Sequence, residues 1–254
     1  MAVVSRVKNI AQQLMPWYSE HARVLPWRNP PGSPKPQDPN WPYQVWLSEI
    51  MLQQTTVRTV KSYYAKFIRN WPTLNDLARA EEVDVMAAWA GLGYYARARN
   101  LVKCARQVSE RGKFPDNEEE LRKLPGLGDY TSAAILAIAF DKRAVVVDTN
   151  VERIVARLFN IREALPYAKK ILRLRTDEIT PQKNTGDFAQ AMMDLGAAIC
   201  TSSNPKCTIC PLKNECQGRA DGNPSALPIR QKKADKKIIQ GHSFWHERKG
   251  KVWL

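Results

Sequence analysis

The chain has 254 residues, 44% of them hydrophobic, enough for one large core or two modest ones and too apolar for wholesale disorder. Lysine and arginine number 39 against 25 acids, a net charge of +14 that points to a polyanionic partner rather than to solubility alone. The excess is not confined to the end: Pro228 to Leu254 holds eight basic and two acidic residues, leaving 31 against 23 before it.

No apolar run approaches the roughly 20 residues of a membrane helix. Met1 to Trp17 carries charges and a glutamine pair where a secretory signal would be apolar. The chain is therefore expected to be intracellular and cytoplasmic, nucleoid-associated in a bacterium, without membrane attachment. Asn29 to Pro42 is proline-rich and reads as an exposed loop. Pro42 suits the start of a helix, and Val45, Leu47, Ile50, Met51 and Gln54 follow at helical spacing. Within that run Glu49 has only apolar neighbours besides Ser48, a setting that raises a carboxyl pKa; a satisfied core acid is the competing reading.

Ser62 to Trp71 reads as a helix stopped by Pro72, and Thr73 with Asp76 three residues on reads as the next N-cap. Trp89 to Arg99 sets a glycine-flanked tyrosine pair before Arg97 and Arg99. It suits either an intercalating wedge beside phosphate contacts or a helix–helix turn with core tyrosines. Cys104, alone in a helical pattern, is expected to be plainly buried. Asp116 and Glu119 repeat the capping signal before Leu121 and Leu124.

Leu124-Pro-Gly-Leu-Gly-Asp-Tyr-Thr131 lies between two helices. Gly126 and Gly128 permit positive φ, and leave bare N–H groups at a helix N-terminus where an anion is favoured. Tyr130 to Phe140 is apolar on most faces and hence a buried helix. Val145 to Val147 is β-like but too short for a sheet, so the fold class is all-α. Asp148, following it, is a buried acid at a helix start or simply an N-cap.

Cys200, Cys207, Cys210 and Cys216 lie within seventeen positions. In an intracellular chain that clustering indicates metal rather than disulfides. A single Cys-x2-Cys pair with open spacing on either side favours a [4Fe–4S] cluster over a zinc ribbon, and such a cluster would turn Lys206, Lys213 and Arg219 toward phosphates. Residues 221–240 read as a linker, and Gly241 to Leu254 as two strands around a polar turn that cannot fold alone.

Together these residues resemble the endonuclease III superfamily of helix-hairpin-helix glycosylases, and within it the MutY-type adenine DNA glycosylases. The resemblance runs from about Arg23 to Cys216. It rests on RVLPWR (23–28), SEIMLQQT (48–55), GLGYYAR (91–97) and QAMMDLGAAIC (190–200). It implies a two-lobed helical fold: a six-helix barrel with the hairpin over 29–140, and a lobe of 1–28 plus 141–220 holding one [4Fe–4S] cluster. The remainder, 241–254, would be the start of a Nudix-like domain that helps such enzymes recognise 8-oxoguanine. A chain ending there is expected to discriminate 8-oxoguanine from guanine poorly.

The activity implied is monofunctional hydrolysis of the N-glycosidic bond of adenine mispaired with 8-oxoguanine or guanine in double-stranded DNA, by a monomer. Glu49 would protonate the flipped adenine and Asp148 stabilise the sugar cation, with Tyr130 and Asn150 supporting them. Arg23, Leu25, Trp27, Arg28, Leu52, Gln190 and Met193 would line the base pocket, and Gln54 and Tyr94 wedge into the duplex. Gly126, Gly128 and Lys206 would contact the backbone. Tyr130 stands where strand-nicking relatives carry a Schiff-base lysine, and a tyrosine cannot form an imine. Thr149 replaces a common glycine. A thymine or uracil mismatch glycosylase of the same superfamily and a non-catalytic iron–sulphur DNA-binding module remain the alternatives.

Overall fold

Local capping and proline chemistry set many of the helix boundaries in the computed structural model, which describes residues 2–231, 241 and 245–253. In chain order the helices are α1 (Ala2–His21), α2 (Trp41–Leu52), α3 (Val57–Asn70), α4 (Leu74–Arg79), α5 (Glu82–Trp89) and α6 (Ala96–Arg111). They continue with α7 (Glu118–Arg122), α8 (Asp129–Phe140), α9 (Thr149–Leu158), α10 (Lys169–Ile179), α11 (Thr185–Ala198) and α12 (Gln217–Ala220). The fold class is all-α, as expected. The segment 145–147 forms no strand, and among the described residues the one sheet is the hairpin of β1 (His246–Arg248) and β2 (Lys251–Trp253). Residues 232–240 of the expected linker and 242–244 of the expected terminal strands lie outside the described residues.

Thr73 closes a reciprocal capping box with Asp76, as its spacing predicts. The neighbouring expectation is displaced by one residue. Asn117, not Asp116, caps α7 by accepting the Glu120 N–H at 2.9 Å, while Asp116 takes Lys142 Nζ at 2.6 Å. Asparagine is as good an N-cap as aspartate, so type alone could not choose between them. The helix expected from Ser62 begins earlier, at Val57, because Thr56 accepts from the Thr59 N–H. Gln54 falls beyond the end of α2, with a left-handed φ of 57°.

Two apolar cores form. The first gathers side chains of α2 to α8, with Trp46 against Phe114 and Phe67 against Trp89, and includes Leu25 and Trp27 from the segment after α1. The second joins α1, α9, α10 and α11, with Leu212 and Leu227. Helix α11 serves both: Ala189 and Met193 enter the first core, Phe188, Ala191, Met192 and Leu195 the second. Its approach to α8 is close. A Cβ on Gly186 would lie 2.6 Å from the Ala137 carbonyl oxygen, so only glycine fits there.

Candidate active site

A cavity of about 540 Å³ opens between α2, α8, the start of α9 and α11. Glu49 reaches it from α2, a helix buried on nearly every face, and is itself only 5% exposed. The Tyr130 hydroxyl, from the first turn of α8, donates to Glu49 Oε2 at 2.7 Å. Burial pushes the Glu49 pKa above the usual carboxylate range, with the Tyr130 hydrogen bond and the Arg28 charge opposing it and the Asp148 charge adding to it. Burial and the nearby Glu49 carboxylate raise the Tyr130 pKa too, so its hydroxyl stays a donor.

Asp148 lines the same cavity, half-buried, and is the N-cap of α9. The two readings of this residue are therefore compatible. One oxygen accepts the Val151 N–H at 2.7 Å and the other accepts Asn150 Nδ2 at 2.9 Å. Thr149 occupies the first helical position and leaves the Asn150 contact intact. Asn150 is held in turn by Arg153, whose guanidinium donates to Asn150 Oδ1 at 2.8 Å, to the Gly196 carbonyl and to the Cys200 carbonyl.

Arg23, Leu25, Trp27, Arg28, Leu52, Gln54, Gln190 and Met193 all border the cavity. The two arginines are fixed by a residue that sequence reasoning passed over. Asp194, 1% exposed on α11, receives Arg23 through its backbone N–H and guanidinium and Arg28 through Nη1 at 2.7 Å. An acid in the apolar run Ala-Met-Met-Asp-Leu-Gly was a signal of the same kind as Glu49.

Tyr94 stands away from the cavity on the α5–α6 turn, 61% exposed with φ 48°, so it is no core tyrosine. Arg97, a phosphate contact in only one of the two readings of this stretch, turns inward onto carbonyl groups, because the turn it sits beside leaves several of them without helical partners. In the hairpin only Gly126 uses positive φ, at 80°. Gly128 is extended and caps α8 with no side-chain bond, and a Cβ there would meet nothing.

Cys104 is fully buried. The four clustered cysteines are free thiols, half-buried, in the loop from α11 to α12. Cys210 feels the other three electrostatically, while burial pushes its pKa up to about 12. Among the described residues no three His, Cys, Asp or Glu side chains converge on a single-ion site. Arg157, 1% exposed on α9, ties the loop down through the Thr201 and Ser202 carbonyls, also bonds the Leu227 carbonyl beyond α12, and lies 3.3 Å from Cys200 Sγ. Lys206, Lys213 and Arg219 are all exposed, Lys213 also bonding the Thr208 carbonyl at 3.2 Å and Arg219 the Lys213 carbonyl at 3.1 Å.

Residues 47–181 match the family model described as HhH-GPD superfamily base excision DNA repair protein. An adenine DNA glycosylase of Buchnera aphidicola subsp. Baizongia pistaciae is 40% identical over 92% of this chain, which spans 64% of that relative's length. The mouse adenine DNA glycosylase is 41% identical over 89% of this chain, and the chain spans 45% of it. Among solved structures, a thermostable thymine-DNA glycosylase superposes with TM-score 0.75 at 28% identity, covering 87% of this chain and all of that one. Endonuclease III trapped on DNA superposes with TM-score 0.69 at 22% identity, covering 86% of this chain and 97% of that one, a likeness of fold.

Proposed function

Because the chain belongs to the HhH-GPD superfamily of base excision DNA repair proteins, we propose that it is a monofunctional adenine DNA glycosylase of MutY type. Its substrate is adenine mispaired with 8-oxoguanine or guanine in double-stranded DNA, and its product an abasic site. The observation that carries this is the buried Glu49 under the Tyr130 hydroxyl, in one cavity with the N-capping Asp148. Two carboxyl groups with opposite protonation are what glycosidic cleavage requires.

The adenine flips from the stack into the cavity, where Leu25, Trp27, Leu52, Gln190 and Met193 surround it beside Arg23 and Arg28. The Glu49 carboxyl gives its proton to adenine N7. The C1′–N9 bond breaks with both electrons leaving on the neutral base, and the Asp148 carboxylate stabilises the sugar cation. Water then attacks C1′ and its proton passes to Glu49, restoring the acid. Tyr130 orients Glu49, and Asn150 orients Asp148. With tyrosine at 130 no imine forms, so the strand stays intact. Gln54 and Tyr94 enter the duplex around the estranged base, and the hairpin amides at Gly126 and Gly128 with Lys206 take phosphates.

Four free, half-buried thiols sharing one loop, with an arginine guanidinium beside Cys200, fit a [4Fe–4S] cluster by their chemistry. Cys200, Cys207, Cys210 and Cys216 would hold it. The group would brace this loop, as no flavin or nicotinamide motif accompanies it. In the organisation we assign, α2 to α8, over 29–140, form one lobe onto which Leu25 and Trp27 also pack, and 1–28 plus 141–220 form the cluster lobe, against which the start of the expected linker docks through Leu227. The protein would act as a monomer inside the cell.

Single-turnover excision on duplexes with A opposite 8-oxoguanine, A opposite G, and T or U opposite G tests the assignment. Adenine should be released and the strand left uncut, and Glu49→Gln should lower the rate by about 10²–10⁴-fold while duplex binding persists. Release of thymine instead would favour the reading that the thymine-DNA glycosylase likeness supports. An unaffected Glu49→Gln variant would falsify the catalytic role. A cluster in the purified protein should absorb near about 400 nm, where zinc thiolates are colourless.

A further inference from the structure

Gln54, at φ 57° after α2, and Tyr94, at φ 48° between α5 and α6, are two of the six non-glycine residues that the described chain holds in the left-handed region. Left-handed backbone at such residues is strained and persists only where surrounding contacts dictate it. One side chain supplies contacts to both. Arg97, on the first turn of α6, sends Nη1 to the carbonyls of Ile50 and Met51, each at 3.1 Å, and to that of Gln53. Its Nη2 reaches the Thr55 hydroxyl at 3.2 Å, the Leu92 carbonyl at 3.0 Å and the Gly93 carbonyl at 3.3 Å. The acceptors therefore flank Gln54 on both sides and precede Tyr94. The guanidinium carbon also sits 5.5 Å from the centre of the Tyr94 ring and 5.2 Å from that of the buried Trp89.

This is more than one charge needs for solvation. A planar guanidinium offers donors in a fixed fork, so it sets the angle between the groups it joins, whereas an ammonium does not. The carbonyls it satisfies lie at the end of α2 and in the following turn, and at the α5–α6 turn, where helical partners are lacking.

We propose that Arg97 is a positioning residue that locks the Gln54 and Tyr94 turns into one preformed wedge for the DNA duplex. The proposal rests on the glycosylase reading, in which Gln54 and Tyr94 enter the stack. Its consequence is that duplex opening is built in before DNA arrives: neither turn has to reorganise on binding, and the ordering cost is met in folding. Arg97 touches no substrate in this scheme. It acts through the two residues it holds.

The test is a mutant cycle on the 254-residue chain: the unmodified protein, Arg97→Ala, Arg97→Lys, the Gln54→Ala/Tyr94→Ala pair, and that pair with Arg97→Ala. Two quantities are read on an A:8-oxoguanine duplex carrying 2-aminopurine beside the mispair. They are the fluorescence rise that reports unstacking and the single-turnover excision rate. Binding to a fully paired duplex is measured alongside. Arg97→Ala is expected to reduce both the unstacking signal and excision by about 10–100-fold, with paired-duplex affinity within about threefold. In the Gln54→Ala/Tyr94→Ala background the same change should add less than about twofold. Arg97→Lys keeps the charge and loses the fork, so it should keep the melting temperature yet show most of the unstacking defect. If Arg97→Ala does not fold, the same cycle is run with Arg97→Lys.

An equal loss in both backgrounds would mean that Arg97 acts on the fold or on Glu49, and would overturn the proposal. So would a full unstacking signal in Arg97→Ala or Arg97→Lys. An unmodified chain that leaves every mispair intact would instead remove the glycosylase reading and this inference with it. An active chain with an indifferent Arg97 removes the inference alone.

Discussion

In the proposed glycosylase reaction, the protonation of Glu49 ties one residue to the pH behaviour of the whole. Its pKa is raised by burial, against the Tyr130 hydrogen bond and the Arg28 charge. A general acid works only while protonated, so excision should fall as pH rises through that raised value. Stability follows the same sign. The folded pKa lies above the unfolded one, so the contribution of neutral Glu49 is complete below about pH 4.3 and is lost as pH climbs through the folded value. Single-turnover rates and urea midpoints from about pH 5 to about pH 9 check both. In Glu49→Gln the alkaline fall in stability assigned to this residue should disappear, and its persistence would point to another group. Asp148 depends on a different kind of residue. A Cβ on Gly196 would meet Asn150 Cβ at 2.5 Å, so Gly196→Ala must push Asn150 off Asp148. A loss of excision of about 10–100-fold is expected, and an unchanged rate would show that Asn150 is dispensable.

Among the elements, α11 carries the greatest burden, since it contributes to both apolar cores, bears Gln190 and Met193 at the cavity, and holds the cavity's Arg23 and Arg28 through Asp194. Its first turn is pressed onto α8, where Gly186 faces the Ala137 carbonyl. Gly186→Ala should cost about 1–3 kcal/mol in urea unfolding and move Gln190 along with the helix, so stability and excision should fall together. The Thr73 cap offers the contrast. Thr73→Ala removes a capping box on α4, outside the cavity lining, and should cost about 1 kcal/mol with excision unchanged. The sequence made these elements legible to different degrees. Thr73 with Asp76, the apolar α8 and the acids at 49 and 148 are local patterns of spacing and type, and they could be read without coordinates. The Arg97 staple, the Asp194 clamp and the Arg153 bridge could not. Each joins residues dozens to more than a hundred positions apart, and a charged side chain on a helix reads as solvated until its partners are known.

Considered as a whole molecule, the protein combines a basic surface with basic groups that are not available to DNA. Arg97, Arg153 and Arg157 spend their guanidinium groups on carbonyl oxygens, and Arg23 and Arg28 on Asp194. The net charge of +14 therefore overstates what meets a phosphate, because only charges that displace condensed counterions contribute to salt-dependent binding. This separates two classes of variant by one measurement. Affinity for a fully paired duplex is followed across salt, and the slope of log K against log[salt] counts the phosphates neutralised. Lys206→Ala removes an exposed charge within the cysteine loop and should make that slope shallower by about 0.9, equally for every sequence. Arg157→Met, by contrast, deletes an interior tie and leaves the Thr201 and Ser202 carbonyls without their donor. It should leave the slope unchanged while lowering the stability of the cysteine loop, visible, with the proposed cluster bound, as faster loss of absorbance near about 400 nm in the presence of an iron chelator. A shallower slope in Arg157→Met with the loop intact would mean that this arginine faces DNA, contrary to its burial.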